Sequence, residues 1–214
     1  MDSPLRTPSE TQKSYAQLAR INAIFHFEES FVRFLPQMLG DQKCRSLKIL
    51  DVGAGDGSLG KKLQEWAARR GWDWAVTSLD ANANGLALCA GKKVLGSATA
   101  LPFDDNSFDA VIANQMTHHL ANDTEIVAHF REAWRVARQG IIFSDIHRNA
   151  FLYSVIWLLL HAGNFDPHFR DDGLISVKKS FRVGEWKNFA RQANILPAKI
   201  WMHYLARVIL TAKK

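Results

Sequence analysis

Cysteine is scarce in this sequence, and long apolar runs are absent. Its 214 residues include only two cysteines, Cys44 and Cys89, with no CxxC pair, so neither a disulfide framework nor a cysteine-built zinc site is expected. The longest apolar run, residues 151–160, is too short for a membrane span, which takes about 20 residues. The N-terminus has no apolar stretch of the kind that a secretory signal contains. We therefore expect a cytoplasmic protein that does not span a membrane.

The composition is that of a globular chain with a modest excess of positive charge. Hydrophobic residues make up 47% and charged residues 22%, which excludes a disordered chain, and the formal net charge is +6. The basic residues are dispersed, and a basic helical face formed by Arg131, Arg135 and Arg138 is interpreted as solvated. No Cys/His finger or RNP-like run accompanies the charge, so nucleic acid is not the expected partner.

The chain is predicted to form a single domain over residues 1–214, because it has no internal repeat and no linker rich in glycine or serine. Residues 1–14 are rich in Ser, Thr, Pro and charge, and they predict a loose tail. Over residues 15–39 apolar residues recur at helical spacing. Two short amphipathic helices are therefore expected to form an N-terminal helical cap over residues 15–40.

A regular alternation of strand and helix patterns follows the predicted cap. Five short apolar runs alternate with helical segments, and two further runs close the chain. The seven runs are residues 47–52, 75–79, 94–95, 108–113, 140–146, 200–205 and 207–211. Such alternation predicts an α/β fold with a doubly wound, Rossmann-like, seven-stranded and mostly parallel sheet. Helices are expected on both faces, with a ligand at the carboxyl ends of the strands.

Residues 147–182 interrupt this alternation and are interpreted as an insertion on the substrate side of a cofactor-binding core over residues 47–146. Within the insertion, residues 151–162 are strongly apolar and predict a buried helix. Residues 163–176 contain proline, glycine and several Asn and Asp residues, and they predict a loop. A helix is expected over residues 183–193, ahead of the last two strands.

A glycine-rich turn joins the first predicted strand to the helix after it. It reads Asp51-Val-Gly53-Ala54-Gly55-Asp-Gly57. Glycines let the backbone turn sharply and let a ligand lie against bare main chain, while the helix start adds unpaired amides. Asp80 ends the second strand, where a carboxylate can accept both hydroxyls of a ribose or, alternatively, cap the next helix.

The combined motifs ILDVGAGDG, SLDAN and GSATALPFDDNSFDAVIANQMTHHL resemble those of the class I S-adenosylmethionine-dependent methyltransferases. The resemblance covers roughly residues 47–146 and is closest to the branch of the ubiquinone and menaquinone biosynthesis methyltransferases. It implies S-adenosylmethionine as the cofactor and methyl transfer as the reaction. The cofactor-binding residues that it implies are Asp51, Gly53, Ala54, Gly55, Gly57, Asp80, Ala81, Ser97, Ala98, Thr99, Asn114, Gln115 and His119.

Within that set, the resemblance assigns Asp80 to the ribose diol and residues 97–99 to the flank of the adenine. Asn114 and Gln115 would line the sulfonium end. In the resembled branch an acidic residue commonly occupies the position of Ser97. A serine hydroxyl accepts an adenine hydrogen bond without charge assistance, so weaker adenine recognition is expected here.

A nicotinamide cofactor is the rival interpretation of the glycine-rich turn. Its G-x-G-x-x-G fingerprint fails, because the third glycine would fall on Ser58. Asp51 also places a carboxylate just ahead of the loop, which suits a zwitterionic amino acid and a cationic sulfonium better than a pyrophosphate. The sequence therefore favours the methyltransferase interpretation.

Two histidines near the ends of the fourth and fifth strands are the candidates for a general base. His118 is preferred narrowly over His147, which with Arg148 fits substrate orientation at least as well. His118 and His119 can instead be packed or capping residues. The adjacent His118 and His119 point apart on a helix, so no metal site is expected. Arg148 is expected to orient the substrate, although it can also pair with Asp145 three residues earlier.

The expected reaction is O- or C-methylation of a small, largely apolar acceptor of a phenol, quinol, polyketide or isoprenoid type. The apolar run at residues 151–160 and the aromatic-rich N-terminal helices motivate this hypothesis. A tRNA or protein methyltransferase and a methyltransferase-like subunit without catalysis are the alternatives. The stretch after the fourth strand begins Asn114-Gln115-Met116-Thr117 rather than Asn-Pro-Pro-Tyr, which disfavours methylation of base or glutamine amino groups. The sequence leaves the acceptor and the oligomeric state open.

Overall fold

Seven strands form one sheet in the computed structural model, which describes residues 7–25, 28–40, 42–163 and 165–214. The strands are β1 (Ser46–Val52), β2 (Asp73–Asp80), β3 (Lys92–Leu95), β4 (Phe108–Asn114), β5 (Ala137–Ile146), β6 (Ala198–His203) and β7 (Arg207–Lys213). Their order in the sheet is β3-β2-β1-β4-β5-β7-β6. Among these described strands only β7 runs antiparallel to its neighbours. The expected seven-stranded, mostly parallel sheet is confirmed.

Helices cover both faces of this sheet, as expected. They are α1 (Pro8–Phe25), α2 (Glu29–Leu39), α3 (Ser58–Ala68), α4 (Ala83–Ala87), α5 (Asp123–Val136), α6 (Ala150–Ala162), α7 (Pro167–Lys179) and α8 (Val183–Gln192). Successive residues of a strand point to opposite faces. Accordingly, Ile49 of β1 packs in the apolar layer under α2 and α3, whereas Leu50 packs in the layer that contains Phe130 of α5 and Trp186 of α8. Because both faces are covered, most of the buried residues in the central strands β1 and β4 are apolar.

The register of the central strands brings their carboxyl ends to one edge of the sheet. Val52 of β1 lies level with Leu79 of β2 and with Ala113 of β4. The strand order reverses between β1 and β4, since β2 and β3 lie on one side of β1 and the later strands on the other. Ligands of doubly wound sheets bind at such a switch point, outside the carboxyl ends.

Two segments are helical where the sequence predicted none. The first helix begins at Pro8, so the predicted loose tail is wrong for residues 8–14, while residues 1–6 lie outside the described residues. The loop predicted over residues 163–176 is wrong as well, because α7 starts at Pro167. The Asp166 carboxylate accepts a hydrogen bond from the His168 amide at 2.9 Å, and Pro167 opens the helix. Proline and aspartate are signals for a helix start as well as for a turn.

The predicted helix over residues 151–162 is present as α6, but it is not buried. Phe151 is 66% exposed and Leu158 is 62% exposed, whereas Leu152 and Leu160 are buried. Some side chains of this apolar run therefore pack inside the protein while others face solvent. The apolar pattern of the sequence alone could not show this difference. Across the described residues, no helix is both long and apolar enough to cross a bilayer.

The side chain of Arg135, at the end of α5, forms hydrogen bonds and ion pairs that hold the segment after β3 in place. Its guanidinium donates to the carbonyl oxygens of Leu101 and Phe103, at 3.1 Å and 2.8 Å, and it pairs with Glu132 and Asp105 at 2.8 Å each. The predicted solvated basic face is therefore wrong for this arginine. Its bonds fix the end of the loop that starts at the carboxyl edge of β3.

Candidate functional site

A cavity of about 710 Å³ lies at the carboxyl edge of the sheet, which is a typical size for a small-molecule site. Its walls are formed by the loops after β1 to β4 and by residues of helices α1, α3, α4, α6 and α7. The lining includes residues 53–56, 79–84, 96–98, 114–116 and 118–120, together with side chains of α1, α6 and α7. The cavity is the place where the sequence predicts the cofactor and the acceptor.

The glycine-rich loop after β1 forms one end of the cavity. Gly53 and Gly55 have φ values of +73° and +57°, which L-residues with side chains rarely adopt. A Cβ on Gly53 would lie 2.1 Å from Cγ of Met116, and a Cβ on Gly55 would lie 2.7 Å from Cε1 of Tyr15. Gly57 is set back against Cys89 and precedes α3, so its role is to form the turn. Met116 and Tyr15 therefore leave no room for a side chain at Gly53 or Gly55. At these two positions the loop consists of main chain alone.

Asp80 ties the ends of β1 and β2 together at the cavity wall. One carboxylate oxygen accepts from the Gly55 amide and the other from the Asn82 amide, both at 2.7 Å. The Asn82 side chain in turn caps α4 by accepting from the amides of Asn84 and Gly85. Asp80 thus fixes the loop backbone and still faces the cavity beside Ala81.

Asp51 lies beneath the same loop and is almost fully buried, with 1% of its surface exposed. Burial, and then the nearby charges of Asp80 and Asp56, raise the pKa of Asp51 from 3.8 to about 8. Its Oδ2 atom has no hydrogen-bond partner among the described residues, although Asp51 lines the cavity. A buried acceptor of this kind is costly unless a donor satisfies it, and a cationic group of a ligand would do so.

The loop after β3 borders the cavity where the adenine is expected. Gly96, Ser97 and Ala98 line the cavity, and the Ser97 hydroxyl lies 2.8 Å from the Thr99 hydroxyl. Thr99 therefore lies next to Ser97, and it is not among the described residues that line the cavity. Its expected place at the adenine stays a prediction.

A buried histidine–aspartate pair forms the opposite part of the wall. His118 Nδ1 lies 2.7 Å from Oδ1 of Asp145, and both side chains are 2% exposed. Asp145 also accepts from the amides of His118 and Ile146, at 3.1 Å and 2.7 Å. Burial alone would raise the pKa of Asp145, but the His118 charge and these hydrogen bonds outweigh it and lower the pKa. The carboxylate is ionised and can only accept, so Nδ1 of His118 carries the proton of this bond.

In the neutral imidazole, this pairing leaves Nε2 of His118 as the acceptor nitrogen. Nε2 is buried and has no hydrogen-bond partner within the described part of the chain, while His118 lines the cavity. His119 lines the cavity too, and its ring centroid lies 4.2 Å from that of His118. The sequence placed the two side chains in different directions, whereas the short 3₁₀ turn over Thr117–His119 brings their rings together.

Arg207 is a site residue that the sequence analysis missed. It is 6% exposed, lines the cavity, and donates from Nε to the Ser144 hydroxyl at 2.7 Å and from Nη2 to the Asn114 side-chain oxygen. Burial lowers the pKa of Arg207 to about 10, while Asp145 acts in the opposite direction. The available signal was a lone arginine at the start of an otherwise apolar strand.

His147 and Arg148 lie elsewhere than the sequence expected. His147 lines a separate small cavity with Asn149 and Phe151, and Arg148 forms an ion pair with Glu185 of α8 at 2.8 Å. Neither belongs to the described lining of the large cavity. The alternative that Asp145 pairs with Arg148 is wrong, since Asp145 pairs with His118 and Arg148 with Glu185. After Ile146 the chain pairs with other segments, because the amides of His147 and Arg148 donate to the carbonyls of Ala206 and Phe181 at 2.8 Å and 3.2 Å.

Helices distant in sequence form further walls of the cavity. Tyr15 of α1 lies against Gly55 and Gly85, and Leu152, Ile156 and Leu160 of α6 present an apolar wall. From α7, Phe169, Asp172, Gly173, Ser176 and Val177 complete this wall. The sequence predicted helices near residues 15–39 and 151–162 but could not show which of their faces meet the site.

Comparison with known proteins gives a partial sequence match and a complete fold match. Residues 50–144 match a family model described as a methyltransferase domain. A demethylmenaquinone methyltransferase of Roseiflexus castenholzii is 41% identical over 99 residues, which are 44% of this chain and 39% of that relative. The matched segment thus spans about two fifths of the length of the curated relative.

Solved structures match along nearly the whole chain at low identity. A putative S-adenosyl-L-methionine-dependent methyltransferase of Methanococcus maripaludis has a TM-score of 0.65 at 14% identity, covering 100% of this chain and 97% of that one. A SAM-dependent methyltransferase of Aquifex aeolicus has a TM-score of 0.61 at 12% identity, covering 97% and 98%. At such identities the likeness establishes the fold.

The fold and the matched segment point to one class. Residues 50–144 are similar to a methyltransferase domain, and the whole chain has the fold of the solved SAM-dependent methyltransferases, as its motifs predicted. Within that class, the curated relatives that it matches are demethylmenaquinone methyltransferases.

The residues of the cavity fit the cofactor of this class, S-adenosylmethionine. Gly53 and Gly55 line the cavity without side chains, so a ligand can lie against their main chain. The unsatisfied Oδ2 of Asp51 is complementary to an ammonium group, and Asp80 offers carboxylate oxygens where a ribose is expected.

Proposed function

We propose that this chain is a cytoplasmic methyltransferase that uses S-adenosylmethionine to methylate a small, largely apolar acceptor on oxygen or carbon. The proposal rests on one observation, a single cavity whose two ends differ in polarity. A glycine cradle with Asp51 and Asp80 forms one end, and an apolar wall beside His118 forms the other. The cavity therefore offers room for a polar cofactor and an apolar partner side by side.

The chain's own residues would bind and orient both molecules. Asp51, Gly53, Ala54 and Gly55 would hold the amino-acid part of the cofactor, and Asp80 with Ala81 the ribose. Ser97 and Ala98 would border the adenine, and Gln115 and His119 would lie near the sulfonium. Bound S-adenosylmethionine supplies a methyl group that the sulfonium makes electrophilic. The protein then needs mainly to align the nucleophile with that carbon, which proximity and orientation achieve.

The apolar wall indicates the acceptor class. Leu152, Ile156 and Leu160 of α6 and Phe169 of α7 line the cavity, so the insertion over residues 147–182 would form most of the acceptor pocket. The curated relatives are named for demethylmenaquinone, which supports a quinol-like or phenol-like acceptor here. Such an acceptor buries its ring against these side chains and presents a hydroxyl or an acidic carbon.

His118 is proposed as the general base, positioned by Asp145. A phenol has a pKa of about 10, so near pH 7 almost all of it is protonated. The Asp145 carboxylate holds the Nδ1 proton of His118, which leaves Nε2 to take the acceptor's proton as the methyl group is transferred. Arg207 lies on the same wall, where its positive charge would stabilise the oxyanion that develops.

Cofactor titration by calorimetry tests the first half of the proposal. Asp80→Ala removes a charged hydrogen-bond acceptor worth about 1.5–3 kcal/mol, so binding should weaken about 10- to 100-fold. Asp80→Asn, which keeps the shape of the side chain, serves as the second variant in case the alanine variant does not fold. Equal affinities for wild type and both variants would remove Asp80 from the site.

Activity profiling tests the second half. Purified protein with labelled cofactor is offered small phenols, quinols and bulk tRNA in parallel. Transfer to a phenol or quinol is the expected result. Transfer to tRNA alone would contradict the proposed acceptor class, and cofactor binding without any transfer would favour a non-catalytic subunit.

A further inference from the structure

The inner face of α7 carries polar side chains within the otherwise apolar wall at the acceptor end of the cavity. Its residues Phe169, Asp172, Gly173, Ser176 and Val177 recur at helical spacing and line the large cavity. Phe169 and Val177 are buried, whereas Asp172 and Ser176 are half-buried. Among the residues that α6 and α7 contribute to the described lining, Asp172 is the only one with a charge. A carboxylate among apolar side chains loses hydration, which hydrogen-bond donors have to replace.

The packing of α7 fixes the position of Asp172 relative to His118. The helix approaches α6 closely, because a Cβ on Gly173 would lie 2.9 Å from Cδ1 of Leu160. It also contacts the 3₁₀ turn over Thr117–His119, which carries His118. Asp172 and His118 therefore border the same end of the cavity. An acceptor whose reacting group meets His118 would extend towards α7.

Asp172 and Ser176 together suit a hydroxyl group of a ligand. Ser176 follows Asp172 by one helical turn, so the two side chains are neighbours on one face of α7. A ligand hydroxyl can donate to the carboxylate and accept from the serine hydroxyl, whereas an ammonium group can only donate. Asp172 also interacts with other groups of the chain. Because a carboxylate has about four lone-pair positions, it can accept from a ligand at the same time.

The charges at the acceptor end disfavour an anionic group on the ligand. Arg207 and Asp145 carry opposite charges that stabilise each other, and Asp145 is buried against His118. Within the described lining of the cavity, no Lys or Arg other than Arg207 accompanies the negative charge of Asp172. A carboxylate on the acceptor would be repelled there, because like charges brought together are unfavourable. The group that meets α7 is therefore expected to be neutral.

From these observations we infer that Asp172, assisted by Ser176, selects acceptors that carry a second hydroxyl group, an inference that rests on the proposed function. The acceptor class narrows from phenols and quinols in general to aromatic rings with two hydroxyls. One hydroxyl lies at His118, where the reaction takes place, and the other is held by α7. A site built to bind a hydroxyl discriminates strongly against an analogue that lacks it, because the polar groups of the site are then left without that partner.

Calorimetric titration of acceptors into the full chain tests the inference. The demethylated cofactor is present, so binding is measured without turnover. Dihydroxynaphthalenes with the second hydroxyl at different ring positions are compared with naphthol, and with hydroxynaphthoic acids that carry a carboxylate in its place. The test variants are Asp172→Ala and Ser176→Ala. Asp171→Ala is the matched control, because Asp171 is the neighbouring residue of the same helix, is exposed and does not line the cavity within the described residues.

Wild type should bind the best dihydroxynaphthalene at least about tenfold more tightly than naphthol, and the hydroxynaphthoic acids most weakly. Asp172→Ala should lose this preference and keep its affinity for naphthol, Ser176→Ala should lose part of the preference, and Asp171→Ala should keep it. If the alanine variant does not fold, Asp172→Asn replaces it and should no longer reject the hydroxynaphthoic acids, since the repelling charge is gone. Equal affinity of wild type for naphthol and every dihydroxynaphthalene would overturn the inference. So would an Asp172→Ala protein that loses affinity for both alike, because that result indicates a structural role.

Cofactor titration and methyl transfer to naphthol, measured in parallel, separate this inference from the proposed function. Failure to bind S-adenosylmethionine would defeat the proposed function, while acceptor titrations repeated without cofactor would still report on Asp172. Methyl transfer to naphthol as readily as to the dihydroxynaphthalenes would defeat the inference and leave the proposed function standing. An Asp172→Ala protein that binds the cofactor more weakly and keeps the hydroxyl preference would also overturn the inference, because Asp172 would then act on the cofactor.

Discussion

The two ends of the cavity are built from different parts of the protein. The cofactor end is made by the main chain of loops after β1 and β2, with Gly53 and Gly55 in left-handed conformations and Asp80 holding the Gly55 amide. The acceptor end is made by side chains from helices α1, α6 and α7 and from β7. One end therefore depends on local backbone geometry, and the other depends on contacts between segments far apart in sequence.

This difference predicts how each end responds to substitution. A backbone cradle fails when a side chain is added, because glycine conformations and close contacts leave no alternative. A wall of side chains fails when a buried charged partner is removed, because the remaining group loses its hydrogen bonds. The experiments below use that contrast, beginning with the largest expected effect.

Gly53→Val should abolish measurable cofactor binding, with a loss of at least about 100-fold. The φ of +73° strains a β-branched residue, and the added Cβ would lie 2.1 Å from Cγ of Met116. Gly91→Ala is the matched control, since a Cβ there meets nothing within 4 Å. Calorimetry measures affinity and circular dichroism verifies folding. A folded Gly53→Val protein with wild-type affinity would show that the cradle does not hold the cofactor.

His118→Gln should lower turnover about 100-fold or more while cofactor affinity stays level. Glutamine keeps approximate size and hydrogen bonding but cannot take a proton at neutral pH. Unchanged turnover would leave proximity as the main contribution and would remove His118 from catalysis. An unfolded variant would instead indicate that the buried pair with Asp145 is architectural.

Asp145→Asn tests whether Asp145 acts through His118. When two residues act as one unit, the losses of turnover caused by their separate substitutions do not add. In the double variant His118→Gln/Asp145→Asn, turnover should be close to that of His118→Gln alone. Losses that multiply would show that Asp145 contributes independently of His118, through Arg207 or through the amides of His118 and Ile146.

The contrast between the two ends also explains what the sequence could predict. The cofactor end could be recognised because Asp51 to Gly57 is contiguous and Asp80 directly follows a predicted strand. The order of strands and helices followed from periodicity in the same way. These features are local, and local patterns are what a single sequence records.

The acceptor end could not be predicted to the same degree because its partners are distant. His118 was identified, but the only partner considered for Asp145 was Arg148, its neighbour in sequence, whereas the fold pairs Asp145 with His118 across the ends of β4 and β5. Arg207 enters the site from the antiparallel strand at the end of the chain. The start of α7 was taken for a loop since Asp166 and Pro167 favour both structures.

Asp51→Asn should make the cofactor-free protein more stable at neutral pH and weaken cofactor binding about tenfold. Burial raises the pKa of Asp51 to about 8, so between about pH 4 and pH 8 the folded state holds a proton that the unfolded state has released. Stability of the wild type therefore falls as pH rises through this range, by roughly 3–5 kcal/mol. Asparagine resembles the neutral carboxyl and removes that loss.

Thermal unfolding of both proteins from pH 5 to pH 8 measures this effect. The gap in Tm between Asp51→Asn and wild type should widen as pH rises, while Asp73→Asn, at an exposed position in β2, should show no such trend. Cofactor affinity of the wild type should increase towards pH 8, because a cationic ligand group favours the ionised carboxylate. Parallel curves for Asp51→Asn and wild type would mean that Asp51 is ionised in the free protein.

Arg148→Ala should have the smallest effect, with turnover and apparent acceptor affinity within about twofold of wild type. Arg148 pairs with Glu185 at 2.8 Å, and both side chains are more than a third exposed, so the pair is worth at most about 1 kcal/mol of stability. Arg207→Lys is the informative companion, because it changes the buried arginine that does line the cavity and should cost at least tenfold in turnover. Steady-state kinetics with the identified acceptor gives both values. A large rise in KM for Arg148→Ala with little change for Arg207→Lys would reverse the assignment and place the acceptor on the α8 side of the sheet edge.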